Sequence, residues 1–146
     1  MSRGEQNVVV HVVGMGALPC RADGPPVPPL AEGDVVIVEV NHGLDDGVVK
    51  AADAAVDSGL SAVFVRRAGA EDIRRIEANA AAAGEALERI TARIRENRIA
   101  FKPLEARYSL NRDRLSILFG SEEETDLKRL FALIPVDIRA RIEFRQ

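Results

Sequence analysis

Cysteine occurs once in this 146-residue chain, as Cys20, and tryptophan is absent. A single thiol excludes an internal disulfide framework and a tetrahedral cysteine site built from one chain. Histidine occurs twice, as His11 and His42, and no spacing ties either to Cys20 as a triad or a metal cage. Aromatics make up only 4 % of the residues. That matters because sheets that grip single-stranded RNA stack its bases on exposed rings. No apolar run approaches the ~18 residues that read as a membrane span. The opening "MSRGEQ" has no basic segment followed by an apolar one, so no secretory signal is expected and cytoplasm is the default.

What is present reads as ordinary soluble globular sequence, 47 % hydrophobic and 29 % charged, long enough for one solid core or two small modules. The net charge of −3 hides an asymmetry. Through Val65 there are 3 Lys+Arg against 9 Asp+Glu; from Arg66 onward the counts are 17 against 14. The back half is mildly basic, far short of a dedicated nucleic-acid-binding domain.

"NVVVHVVGMG" (7–16) is a β-branched run and predicts a buried strand. The proline-rich "CRADGPPVPPLAEG" (20–33) predicts a loop. "DVVIVEV" (34–40) is a second strand, "NHGLDDG" (41–47) a turn, and "VVKAAD" (48–53) the returning strand. Together residues 1–60 predict a small antiparallel β-unit. "SAVFVRR" (61–67) begins a second pattern. From Ala70 to about Asn97, Ile73, Ile76, Ala80, Ala83, Leu87, Ile90 and Ile94 recur at spacings of three and four, an a/d stripe on a helix of about 42 Å. Then come the alternating strand "KPLEARYSL" (102–110) with Leu104, Ala106, Tyr108 and Leu110 inward, the turn "NRD", and the strand "RLSILFG" (114–120). "SEEETDLKRLFALI" (121–134) predicts a helix with Ser121 and Glu124 at capping-box spacing, and "DIRARIEFRQ" (137–146) a closing strand. The order over 61–146 is β-α-β-β-α-β, which predicts a ferredoxin-like α+β domain with its last strand beside "SAVFVRR" and one sheet face open.

Candidate sites follow from this placement. "GMG" (14–16) has Pro19 where a dinucleotide fingerprint needs its third glycine, so it reads as a turn. "DD" (45–46) and "EEE" (122–124) read as turn and helix-start chemistry rather than as metal ligands. The open sheet face would carry Arg107, Arg114, Arg139, Arg141 and Arg145, whose guanidinium forks match phosphate oxygens. Phe64, Tyr108, Phe119 and Phe144 all read as inward, so that face would lack stacking rings. The helix stripe (Ile73, Ile76, Ala80, Ala83, Leu87 and Ile90) either packs on its own sheet or receives a partner helix or a second copy of the chain.

Three stretches resemble one known family: "LAEGDVVIVEVNHGLDDGVV" (30–49), the run from Arg66 to Phe131, and the closing R-x-R-I-E-x-R-Q strand. It is the family sharing the C-terminal domain of the yeast polymerase suppressor protein, with the bacterial YaaT (RicT) regulators among its members. The resemblance implies a non-enzymatic regulator that works in complexes with protein partners, such as small helical YlbF-like proteins, to promote messenger-RNA maturation. Two departures stand out. YaaT-type proteins continue past the R-Q into a cysteine-containing segment implicated in iron–sulfur binding, whereas this sequence stops there, so no cofactor is expected. The proline-rich loop replaces the hairpin-like stretch that usually follows the first strand. Two functions are therefore carried forward: an adaptor docking proteins through the long helix, and direct binding of single-stranded RNA through the arginine face. No constellation supports a hydrolase or transferase.

Overall fold

The computed structural model describes residues 6–12, 15–22, 29–51, 56, 59–120 and 127–145. Among these are eight strands and two helices, in two compact units, Met1–Arg74 and Arg75–Gln146. The class is mixed α+β.

The first unit is a five-stranded closed barrel. Its strands are β1 (Gln6–Val12), β2 (Gly16–Ala22), β3 (Val35–Val40), β4 (Gly43–Lys50) and β5 (Ala62–Arg67), in the spatial order β1-β2-β5-β3-β4 with β4 returning to β1. Strand alternation builds the interior: Val8, Val10 and Val12 of β1, Leu18 and Cys20 of β2, Val36, Val38 and Val40 of β3, and Val49 of β4 form one buried cluster. The β3–β4 connection is a two-residue turn with Asn41 and His42 both at positive φ, the primed geometry that suits twisted hairpins. It is shorter than the 41–47 turn expected from sequence, and Leu44, Asp45, Asp46 and Gly47 lie in β4 itself.

Strand β2 corrects the loop expected from Cys20 onward. It forms a hairpin with β1, from Val12↔Gly16 to Gln6↔Ala22. Pro19 cannot donate to a ladder. It is exposed, and β2 meets β5 only at Cys20 and Arg21, beyond it. Gly14, residues 23–28 of the proline-rich stretch, and residues 52, 53 and 57 lie outside the described residues.

The ferredoxin-like arrangement is also corrected. Strand β5 pairs with β2 on one edge and β3 on the other. With Ala62 and Phe64 packed into the barrel, it has no edge left for the closing strand. In the second unit β6 (Lys102–Tyr108), β7 (Arg114–Gly120) and β8 (Arg141–Arg145) form a three-stranded sheet in which β8 runs parallel to β7. The crossover between them contains α2 (Leu127–Ala132). Residues 121–126, which include the capping box and the three consecutive glutamates read from sequence, lie outside the described residues.

Helix α1 (Ala70–Glu96) runs through the boundary between the units. Gly69 caps it: its carbonyl accepts from Ile73, and its own N–H donates to the Asp72 carboxylate at 3.1 Å. Arg66 grips the same carboxylate with two bonds of 3.0 and 2.8 Å. At the other end Arg98 takes a left-handed φ of 53° while Ile99 N–H reaches back to the Ile94 carbonyl, a Schellman closure. Within the second unit Ala83, Ala86, Ile90 and Ile94 pack with Leu115, Ile117, Phe101 and Leu130. Leu104 is 55 % exposed instead of inward, because the β6–β7 register slips between Pro103 and Glu105. The bulge turns Leu104 out at the slip, while Ala106 and Tyr108 beyond it pack inward.

Candidate functional site

The closing motif begins later than its alternation suggests. Asp137 is not in a strand; its carboxylate takes two hydrogen bonds from Arg89 at 2.8 and 2.7 Å. The hydrogen bonds from Arg89 hold the Asp137 carboxyl down at about 2. A carboxyl depressed by folding stabilises the fold above its ordinary value near 4, and that stabilisation is lost as pH falls through about 2. Asp137→Asn should therefore flatten stability against pH between those limits, as read by thermal melts in acid.

From Arg141 the two-residue period holds. Ile142 and Phe144 pack against the core while Arg141, Glu143 and Arg145 line the opposite face. Arg114 of β7 lies directly across from Arg141. Like charges in that position repel, and Glu143 offsets the repulsion. Its carboxylate meets Arg145 at 2.9 Å, Arg141 at 3.2 Å and Arg114 at 3.7 Å. Three guanidiniums thus gather around one carboxylate. Arg107 completes the next row, opposite Ser116, which is itself opposite Glu143.

Of the five arginines expected on this face, Arg107, Arg114, Arg141 and Arg145 are thus on one sheet. Arg139 is not, because it precedes β8. Nor is the face fully open: Arg114 is 7 % and Ser116 5 % exposed, so the middle strand is buried there. Arg141 is the exposed member of the cluster. Phe64, Tyr108, Phe119 and Phe144, the rings expected inward, pack against the two cores. Phe131, edge-on to Phe144 at 5.0 Å, is nonetheless 48 % exposed.

The helix stripe divides. Ala83 and Ile90 are buried in the core of their own unit, Ile73, Ile76 and Leu87 are half-buried, and Ala80 is exposed. The buried line runs Asn79, Ala83, Ala86, Ile90 and Ile94. On the exposed side Ala80, Ala81 and Gly84 form a patch without side-chain bulk. A Cβ added at Gly84 would meet nothing within 4 Å. Glycine in an exposed helix interior costs about 0.5–1 kcal/mol relative to alanine. Gly84→Ala should raise the stability of the isolated chain by that amount, measured by denaturant titration.

Cys20 and the histidines stand apart from these features. Cys20 lies in the barrel interior, and burial pushes its thiol up to about 11, far from the thiolate a nucleophile needs. His11 and His42 are exposed. Among the described residues no three His, Cys, Asp or Glu side chains converge as metal ligands, and no helix is long and apolar enough to cross a membrane.

Residues 62–146 match the family model of the PSP1 C-terminal conserved region. The chain belongs to the PSP1 C-terminal family. No curated protein and no solved structure matches it. The PSP1 region opens on β5 and takes in α1, the three-stranded sheet and the Glu143 cluster. The 30–49 stretch lies outside the match. Sequence reasoning passed over Asn79, Gly84 and Arg112. Asn79 is a polar residue on a buried helical line, a signal that an apolar stripe conceals.

Proposed function

We propose that this PSP1-family chain is a non-enzymatic regulatory adaptor that acts in the cytoplasm, in a complex controlling RNA processing, and docks a helical protein partner on the exposed side of α1. The reading rests on family membership and on one observation, the bare patch of Ala80, Ala81 and Gly84. A glycine whose Cβ position is open space is costly to an isolated helix. It becomes useful when another backbone approaches closely, as at small-residue helix contacts.

The test is affinity purification from the native host with wild type, Ala80→Glu and Gly84→Leu. Ala80→Glu should melt like wild type and Gly84→Leu no lower than wild type, since both positions are exposed and replacing the glycine favours the helix. Both should lose the same protein partner. Recovery of an unchanged partner set would sink the adaptor reading. Ala83 is unsuitable for such a test, because at 1 % exposure a glutamate there would break the core.

A second reading, direct single-stranded RNA binding, is favoured by the exposed guanidinium of Arg141 among the arginines gathered at Glu143. Binding should fall steeply with salt, and Arg141→Glu should abolish it. A salt-independent titration, or one that Arg141→Glu leaves unchanged, removes this reading.

A further inference from the structure

Arg112 is held in an unusual way. It sits in the β6–β7 turn at a left-handed φ of 58°, a conformation that side-chain-bearing residues adopt at a cost. Its N–H donates to the Ser109 carbonyl at 2.9 Å. Its Nε donates to Asn79 Oδ1 at 2.7 Å, and its guanidinium carbon lies 5.5 Å from the centre of the Tyr108 ring. Asn79 is itself fixed, because it is buried and its amide nitrogen donates to the Leu110 carbonyl at 3.0 Å and the Ser109 carbonyl at 3.3 Å. Amide, carbonyl and ring are all neutral. They orient the guanidinium without cancelling its charge, and the terminal nitrogens of Arg112 make no ion pair among the described residues.

Beside Arg112 is a cleft of about 310 Å³, bordered by Tyr108, Arg89, Asp137, Glu85 and Arg139. Arg89 is committed to Asp137. Three arginines against two carboxylates leave the cleft one net positive charge, carried by Arg112 and Arg139. Arg139 is exposed and makes no ion pair among the described residues. On the other side of Arg112 a second cleft of about 380 Å³ adds Arg75, which donates to Asn111 Oδ1 at 3.3 Å.

We propose that the cleft at Tyr108 is a nucleotide-phosphate site, with the phosphate held by the guanidiniums of Arg112 and Arg139. Charge-assisted bonds from a pre-oriented fork are what phosphate oxygens select. The volume lies at the low end for ligand clefts, enough for one nucleotide. A free mononucleotide and a phosphate of single-stranded RNA present the same group. Neither Gly84 nor Arg141 lines the cleft, so it stands or falls separately from the two readings above.

Tyr108 is the sole tyrosine in a chain without tryptophan, so its emission reports on this cleft alone. The full-length chain is titrated at low salt with adenosine 5′-monophosphate and, separately, with a short oligouridylate, following Tyr108 emission and equilibrium dialysis. Arg112→Gln and Arg139→Gln should each weaken binding about tenfold, the loss of one charged hydrogen-bonding group. Arg95→Gln, an exposed control at the end of α1, should leave the midpoint where it was. Saturable binding of the mononucleotide with this variant pattern assigns a free nucleotide. Binding of the oligonucleotide alone, with the same pattern, assigns an RNA phosphate. The proposal is overturned if dialysis finds neither ligand bound up to about 10 mM, a range weaker than any specific site. It is equally overturned if Arg112→Gln binds as Arg95→Gln does while both melt like wild type.

Discussion

Gly47→Ala should unfold the barrel at temperatures where the wild type is intact. Gly47 lies in β4 opposite Val36, just before the stretch where β4 meets β1 and closes the sheet. A Cβ there would run into Val10 Cγ1, and would stand 3.2 Å from the His11 carbonyl and 3.3 Å from Val12 Cγ2. None of these neighbours can step aside. Val10 and Val12 are fully buried and β-branched, stiff at χ1, and the carbonyl belongs to the strand backbone. Overpacking of this kind costs about 3 kcal/mol, roughly 10–20 °C in melting temperature for a unit of this size. The φ of Gly47 is not positive, so the cost is steric and has a remedy. Val10→Ala alone should destabilise by leaving a cavity. Combined with Gly47→Ala it should cost less than the sum of the two, by about 1–2 kcal/mol of coupling. Additive losses in urea titrations would show that Gly47 matters for some reason other than its contact with Val10.

Local patterns were legible and long-range pairings were not. The spacing of three and four located α1 to within a residue, ending at Glu96. It misplaced one member of the buried line, Ala80, because Ala80 to Ala83 and Ala86 offer nearly equivalent positions and the residue buried in that turn, Asn79, is polar. Alternation in "RIEFR" set Ile142 and Phe144 apart from Glu143 and its arginines, and β8 keeps that division. Residues 137 to 140 share the alternation, and Ile138 and Ala140 pack inward with the same core, but they precede β8 and Asp137 is paired with Arg89. Strand β2 escaped notice because Pro19 signals a break, whereas only the short stretch from Cys20 pairs on the far side. The exchange of partners by β5 has no local signature. Whether its edges face β2 and β3 or β8 depends on which edges the rest of the chain leaves open.

Glu143→Gln should lower the stability of the second unit and, on the RNA-binding reading, raise its affinity for polyanions. The substitution keeps shape and removes the carboxylate charge that meets Arg114, Arg141 and Arg145. Exposed ion pairs are worth less than about 1 kcal/mol, and breaking a buried one costs about 3–5 kcal/mol. Glu143 is 29 % exposed and the Arg114 side chain 9 %, so a loss of about 2 kcal/mol lies between those limits. The carboxylate is already overcommitted, since Nε of Arg145 is buried without a hydrogen-bond partner. With Glu143 neutralised the sheet face loses one negative charge. If phosphates meet this face, affinity for single-stranded RNA rises and the salt dependence steepens, by up to about 0.7 in logarithmic slope for each added contact. A Glu143→Gln protein that is destabilised yet binds RNA no better would confine Glu143 to a structural role. Arg141 separates the two contributions. It faces Arg114 across the ladder, so Arg141→Gln should be nearly neutral while Glu143 is present, where it removes both an attraction and a repulsion. In the Glu143→Gln background only the repulsion is left, and the same substitution should then stabilise. That reversal of sign in thermal melts requires Glu143 to be the counter-ion that lets two arginines sit face to face.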